Sequence, residues 1–158
     1  MRFFVSPDPW TDRARPPVRW FLVFAAVLVG ALAAQRALAG GLTPAGVAAF
    51  YLGPDGSEPL AAVALWEEVH VNAFLYGFLL FVVGSLLAVS PVSPRVRAAL
   101  LWGGSIAALA DLFAPFAVVA AGGAGAIRVA TFTGTILFLA CGVGVAFARF
   151  GAPGRARG

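Results

Sequence analysis

Charge is scarce in this chain. Of its 158 residues, 11% are charged, whereas a domain that faces water carries roughly 25%. That shortfall excludes an ordinary soluble fold, because too little polar surface remains to cover the outside. With 61% hydrophobic residues and a mean hydropathy of +0.92, lipid is the expected covering. Lysine is missing altogether, and all eleven basic residues are arginine, a bias that goes with GC-rich coding rather than with any physical demand. A net charge of +4 and a pI near 10.6 would point to nucleic acid in a soluble protein. In a membrane protein they point to arginines gathered on the cytoplasmic side, and no nucleic-acid partner is expected.

Other shortages remove whole chemistries. The single cysteine, Cys141, excludes an intrachain disulfide, and its apolar setting predicts packing material. The single histidine, His70, with one cysteine, excludes zinc spacing. No G-x-x-x-x-G-K-[ST] or G-x-G-x-x-G loop is present, and Gly122–Gly125 lacks the flanking strand a phosphate loop requires. No serine, histidine and aspartate make a nucleophilic set, and no polar stretch is long enough to host a separate active site. The chain therefore reads as a non-enzyme. It has no internal repeat and no coiled-coil heptads.

What the chain does have is apolar length. Four runs, at about 18–39, 67–90, 98–121 and 129–148, each hold close to the 20 residues a helix needs to cross ~30 Å of hydrocarbon. The reading is all-α: an integral membrane protein with four transmembrane helices in a compact bundle over 18–149. It is preceded by a Pro-rich arm over 1–17, with Trp10 at headgroup level, and followed by a Gly- and Arg-rich tail over 150–158. The first run also resembles a secretory signal, with A-L-A at 37–39 as the cleavage site. The long Pro-rich start and Arg36 just before the cut argue against cleavage.

Connections are set by local chemistry. Thr43-Pro44 offers an N-cap and a first-turn proline, and Gly53-Pro54 ends the short helix they begin. The intervening apolar stretch is too short to span, so a short interfacial helix in the first outer loop is expected. Leu60 to Trp66 lengthens the second run beyond the bilayer and is expected to project above it or bend along its surface. Pro91 and Pro94 end that run, with Arg95 and Arg97 anchoring a cytoplasmic turn. Gly122 to Arg128 reads as a flexible loop.

Four spans put Arg2, Arg13, Arg15, Arg19, Arg95, Arg97, Arg149, Arg155 and Arg157 on one side, against Arg36 and Arg128 on the other. This asymmetry predicts that both termini are cytoplasmic, in a bacterial inner membrane.

Seven polar residues approach one depth near the outer boundary: Arg36, Glu67, Glu68, His70, Asn72, Asp111 and Arg128. Asp111 is the most informative, because a carboxylate in a span costs ~2.5–3.5 kcal/mol on insertion scales and must face protein or water. Gly104, Ala108, Asp111 and Pro115 recur at steps of four, three and four, a small-residue face that points it inward. It is either an ion, proton or ligand site, or one half of a structural pair with Arg36 or Arg128. The nearby arginines favour the pair.

Glu67-x-x-His70 puts a carboxylate and an imidazole on one helix face. Di-iron bundles use that spacing but need two such pairs and two further glutamates. One pair leaves Glu67 and His70 as weak metal candidates only. Haem b lacks a second intrachain axial ligand, so a haem would have to be shared with another subunit's histidine, and quinone is the other cofactor of a redox reading. An interfacial histidine bonded to Glu67 or a neighbour is the plainer expectation. Glu68, Asn72 and Tyr76 form a second polar stripe, and Arg128, Thr131 and Thr135 a third. Gly77, Gly84, Ala88, Gly142 and Ala146 read as packing positions.

The outline resembles that of small bacterial four-span proteins. Two functional expectations result. One is a non-catalytic structural or accessory subunit of a larger membrane complex, partnered by other subunits or by its own copies. The alternative is a redox or ion-handling module around Glu67, His70 and Asp111.

Overall fold

The computed structural model describes residues 15–55, 58–90, 92–122 and 124–150. The expected N-terminal arm with Trp10, and the tail with Arg155 and Arg157, lie outside the described residues. The described residues form five helices: α1 (Arg15–Ala39), α2 (Pro44–Leu52), α3 (Ala62–Val89), α4 (Pro94–Ala121) and α5 (Gly125–Phe150). Four of them, α1, α3, α4 and α5, are long and apolar enough to cross a membrane. The protein is a small multi-pass helical membrane protein.

The short helix forms where its cap predicts. Thr43 Oγ1 accepts from Gly46 N at 3.1 Å, with Pro44 at the first helical position. Its last carbonyls are taken up by the loop beyond it, since Glu58 N donates to Leu52 O and Leu60 N to Tyr51 O at 2.8 Å. More than an interfacial helix, α2 buries Val47 and Tyr51 against Leu65, Val118 and Ala124. It caps one end of the bundle.

Leu60 to Trp66 does not bend away: α3 is continuous from Ala62, with Leu65 packed in the α2 cluster. Two other boundaries differ from expectation, each for a local reason. Pro94 begins a helix instead of ending one, with Ser93 as N-cap and proline in the first turn, where no amide hydrogen is needed. Arg97 therefore lies in α4, and its Nη2 donates back to Ser90 O at 3.1 Å and Val92 O at 3.3 Å, closing the end of α3. Residues 122–128 are mostly not loop either. Gly122 ends α4 in the left-handed conformation (φ 62°), and α5 starts at Gly125, which puts Arg128 within a helix.

The main core joins α1, α3, α4 and α5 through Leu22, Leu79, Leu87, Ala108, Leu139 and Ala146, among others. Helix α5 is central and packs against each of the other four; α4 also packs on α3 and α2. Small residues allow close approach. A Cβ on Gly103 would sit 2.5 Å from the Phe138 ring, and one on Gly125 would collide with the Pro44 carbonyl oxygen. Only glycine lets the start of α5 rest against the backbone of α2. Gly142 and Ala146 are buried as expected, but Gly77 and Ala88 are exposed and carry no packing. Cys141 is also exposed, on the outer side of α5, because it falls off the buried Leu139–Gly142–Val143–Ala146 stripe. Phe24, Phe81, Trp102 and Leu137 are similarly exposed, an apolar exterior suited to lipid.

Candidate functional site

At the end of the bundle formed by α2, the starts of α3 and α5, and the ends of α1 and α4, the polar residues meet in one network. Asp111 is fully buried and Arg128 is 1% exposed. The repeat of Gly104, Ala108, Asp111 and Pro115, all buried on α4, turns the carboxylate inward. Arg128 in the first turn of α5 forms an ion pair with it through Nη1. The same Nη1 donates to the Asp111 backbone carbonyl at 2.5 Å. Tyr76 Oη donates to Asp111 Oδ2 at 2.8 Å, and Thr131 Oγ1 lies 3.3 Å from Oδ1. Both oxygens of the buried carboxylate are therefore satisfied, the condition under which a buried charge is tolerated.

Glu68 is the second acidic centre. Its Oε1 accepts from Arg36 Nη2 at 2.5 Å and Arg128 Nη2 at 2.7 Å. Tyr51 Oη lies 2.8 and 2.9 Å from the two Glu68 oxygens and donates to that carboxylate. The same hydroxyl accepts from Arg36 Nη1 at 2.8 Å and Arg128 Nε at 3.3 Å. Burial, the largest influence, holds the Tyr51 phenol above its ordinary value of 10.0, against the opposing pull of Arg128 and Arg36. Arg36 also lies 5.4 Å from the centroid of the Phe132 ring, within cation–π range. Two guanidiniums thus offset two carboxylates, and the network is neutral as a whole.

Of the seven residues expected at this depth, Arg36, Glu68, Asp111 and Arg128 meet in the network. Glu67 and Asn72 stand beside it, lining a half-open cavity of about 340 Å³ between α1 and α3 whose wall includes Arg36, Glu68, Tyr76 and Phe132. His70 is exposed. Among the described residues no hydrogen bond joins it to Glu67, contrary to the sequence expectation: Glu67 lines the cavity and His70 does not. Nor do three or more His, Cys, Asp or Glu side chains cluster as metal ligands among the described residues.

Two further residues belong to the site. Tyr76 is legible in the sequence as part of a polar stripe but not as the partner of Asp111. Tyr51 is not legible, since it ends an apolar run in a helix too short to span. The available signal is the hydroxyl itself, because a tyrosine buried in an apolar setting finds a hydrogen-bond partner.

A family model described as a transmembrane helical domain matches residues 41–150. No curated protein and no solved structure matches the chain. The matched residues take in α2 to α5, and with them Tyr51, Glu68, Tyr76, Asp111 and Arg128. Arg36, on α1, precedes them.

Proposed function

The chain belongs to the Aq_1264_TM family, a transmembrane helical domain, and from that premise we propose that it is a non-catalytic accessory subunit or assembly partner of a larger membrane complex. One observation supports this reading above others: the buried charges are spent on one another. Arg36, Glu68, Arg128 and Asp111 form three ion pairs, with Tyr51 and Tyr76 supplying further bonds. A carboxylate engaged in this way by Arg128, Tyr76 and Thr131 has no open coordination position. Its natural role is to fix the packing of five helices at one end of the bundle.

The same reading places the protein in a bacterial inner membrane with both termini cytoplasmic. Arg19, Arg95, Arg97 and Arg149 lie at one end of the spans, and Arg36 and Arg128 at the other, turned into the network. The arginine asymmetry supports this orientation.

Purification from native membranes in mild detergent, after brief crosslinking, tests the proposal. A stoichiometric membrane-protein partner is the expected result. A sharp monomer without any co-purifying subunit would overturn it. A visible absorption spectrum of the same sample addresses the alternative: a haem band lost in His70→Ala would replace the accessory reading with a redox one.

A further inference from the structure

The cavity between α1 and α3 gives access to the buried network from outside. The Arg36 and Glu68 side chains are 12% and 20% exposed, and both line it. At about 340 Å³ it falls within the size range of small-ligand sites. Its walls are mixed. Leu32, Ala39, Phe50 and Val71 supply apolar surface, while Gln35, Glu67 and Asn72 supply polar groups.

The chemistry of those polar groups is lopsided. Glu68 Oε1 already accepts three bonds, but Oε2 has only Tyr51. Glu67 is exposed and, among the described residues, has no ion pair. Gln35 and Asn72 each add an amide, which accepts through its oxygen and donates through its nitrogen. The network behind the wall is neutral, so the Glu67 carboxylate is the uncompensated charge on the lining. A ligand that completes this cavity therefore carries a positive charge, several N–H donors and an apolar body. We propose that it binds a primary-ammonium amphiphile, with the ammonium between Glu67 and the free face of Glu68 and the apolar part along Leu32, Phe50 and Val71. A quaternary ammonium has the charge but no N–H to donate, and an anionic headgroup meets Glu67 as a like charge. This inference does not depend on whether the protein has a partner subunit.

The ammonium could come from an ethanolamine phospholipid or from a free long-chain amine, and the test separates the two. The full chain is reconstituted in nanodiscs of mixed phosphatidylethanolamine, phosphatidylcholine and phosphatidylglycerol, extracted, and its retained lipids counted by native mass spectrometry. In parallel, dodecylamine, dodecanol and dodecanoate are titrated against protein in phosphatidylcholine nanodiscs, with thermal stability as the readout. Enrichment of phosphatidylethanolamine supports the lipid source; stabilisation by dodecylamine without that enrichment supports the free amine. Either preference is expected to fall about tenfold in Glu67→Gln, the loss of one charge-assisted contact. Ala64→Phe, which fills the cavity without removing a charge, is expected to abolish it. Equal retention of phosphatidylcholine together with equal stabilisation by dodecanol overturns the proposal. So does a preference for the anionic probes, or a Glu67→Gln protein that keeps wild-type selectivity.

Discussion

Pro115 stands four residues after Asp111 on α4, and the amide hydrogen it lacks leaves the Asp111 carbonyl oxygen without its intrahelical donor. Arg128 Nη1 takes that place from α5, at 2.5 Å. One guanidinium nitrogen thus serves both the side chain and the backbone of the same aspartate. A proline inside a helix ordinarily leaves an acceptor to be satisfied by water or a neighbouring helix. Here the missing donor positions the arginine that neutralises the buried carboxylate.

The pair should behave as a unit. Asp111→Leu and Arg128→Met are each expected to destabilise the protein by about 3–5 kcal/mol, because each leaves the other charge buried with fewer partners. The double variant should cost far less than the two singles together, since Arg36 and Glu68 remain to balance each other. SDS-titrated unfolding in detergent micelles, followed by tryptophan fluorescence, measures all three. Additive losses would contradict the ion-pair account.

Charge alone should not replace Arg128. Its Nε, Nη1 and Nη2 reach Tyr51, Asp111 and Glu68 separately, a span that the point-like ammonium of lysine does not cover. Arg128→Lys is expected to cost about 2–4 kcal/mol, as two or more buried acceptors lose their donor. A variant of wild-type stability in the same unfolding assay would show that only the charge matters.

Tyr51→Phe should loosen the cap at the end of the bundle. Losing a hydroxyl bonded to Arg36, Glu68 and Arg128 is expected to cost about 1–3 kcal/mol, and amide exchange should quicken across α2 first. The sign of its pH dependence is set by burial. The folded phenol is held above its ordinary 10.0, so its contribution is complete below that pH and is lost as pH rises through the higher folded value. The stability gap between wild type and Tyr51→Phe should therefore narrow in strongly alkaline buffer.

Two glycines on α5 should respond in opposite ways to alanine. Gly125→Ala drives a methyl into the Pro44 carbonyl oxygen, forcing α2 away at an expected cost of about 1–3 kcal/mol. Gly144→Ala meets no atom within 4 Å and should stabilise α5 by up to about 1 kcal/mol through helix propensity. Thermal unfolding of the two proteins side by side makes the comparison.

His70→Ala should change stability by no more than about 0.5 kcal/mol, as for an exposed residue outside any network. A larger loss in the same thermal assay would mean that this histidine is held by something the isolated chain lacks.

Much of this protein is legible in one dimension. Apolar length specifies the four long helices, because a span must satisfy its own backbone and cover itself with apolar side chains. The Thr43-Pro44 cap specifies α2 for an equally local reason. The four-three-four step of small residues turns Asp111 inward, and an inward carboxylate demands a partner. What the linear order could not supply is which partner, and where α5 starts. Pro94 opens α4 through a local signal, the Ser93 cap, whereas Gly125 opens α5 against the Pro44 backbone, a contact that only the fold supplies. Tyr51 enters the site only because α2 folds back over Leu65 and Val118. His70 and Glu67 stay outside it because helix rotation, set by how α3 packs on α4 and α5, points Glu68 inward and its neighbours outward. Burial, pairing and rotation are properties of three helices at once, so the choice among Arg36, Glu67, Glu68, His70 and Arg128 belonged to the tertiary structure alone.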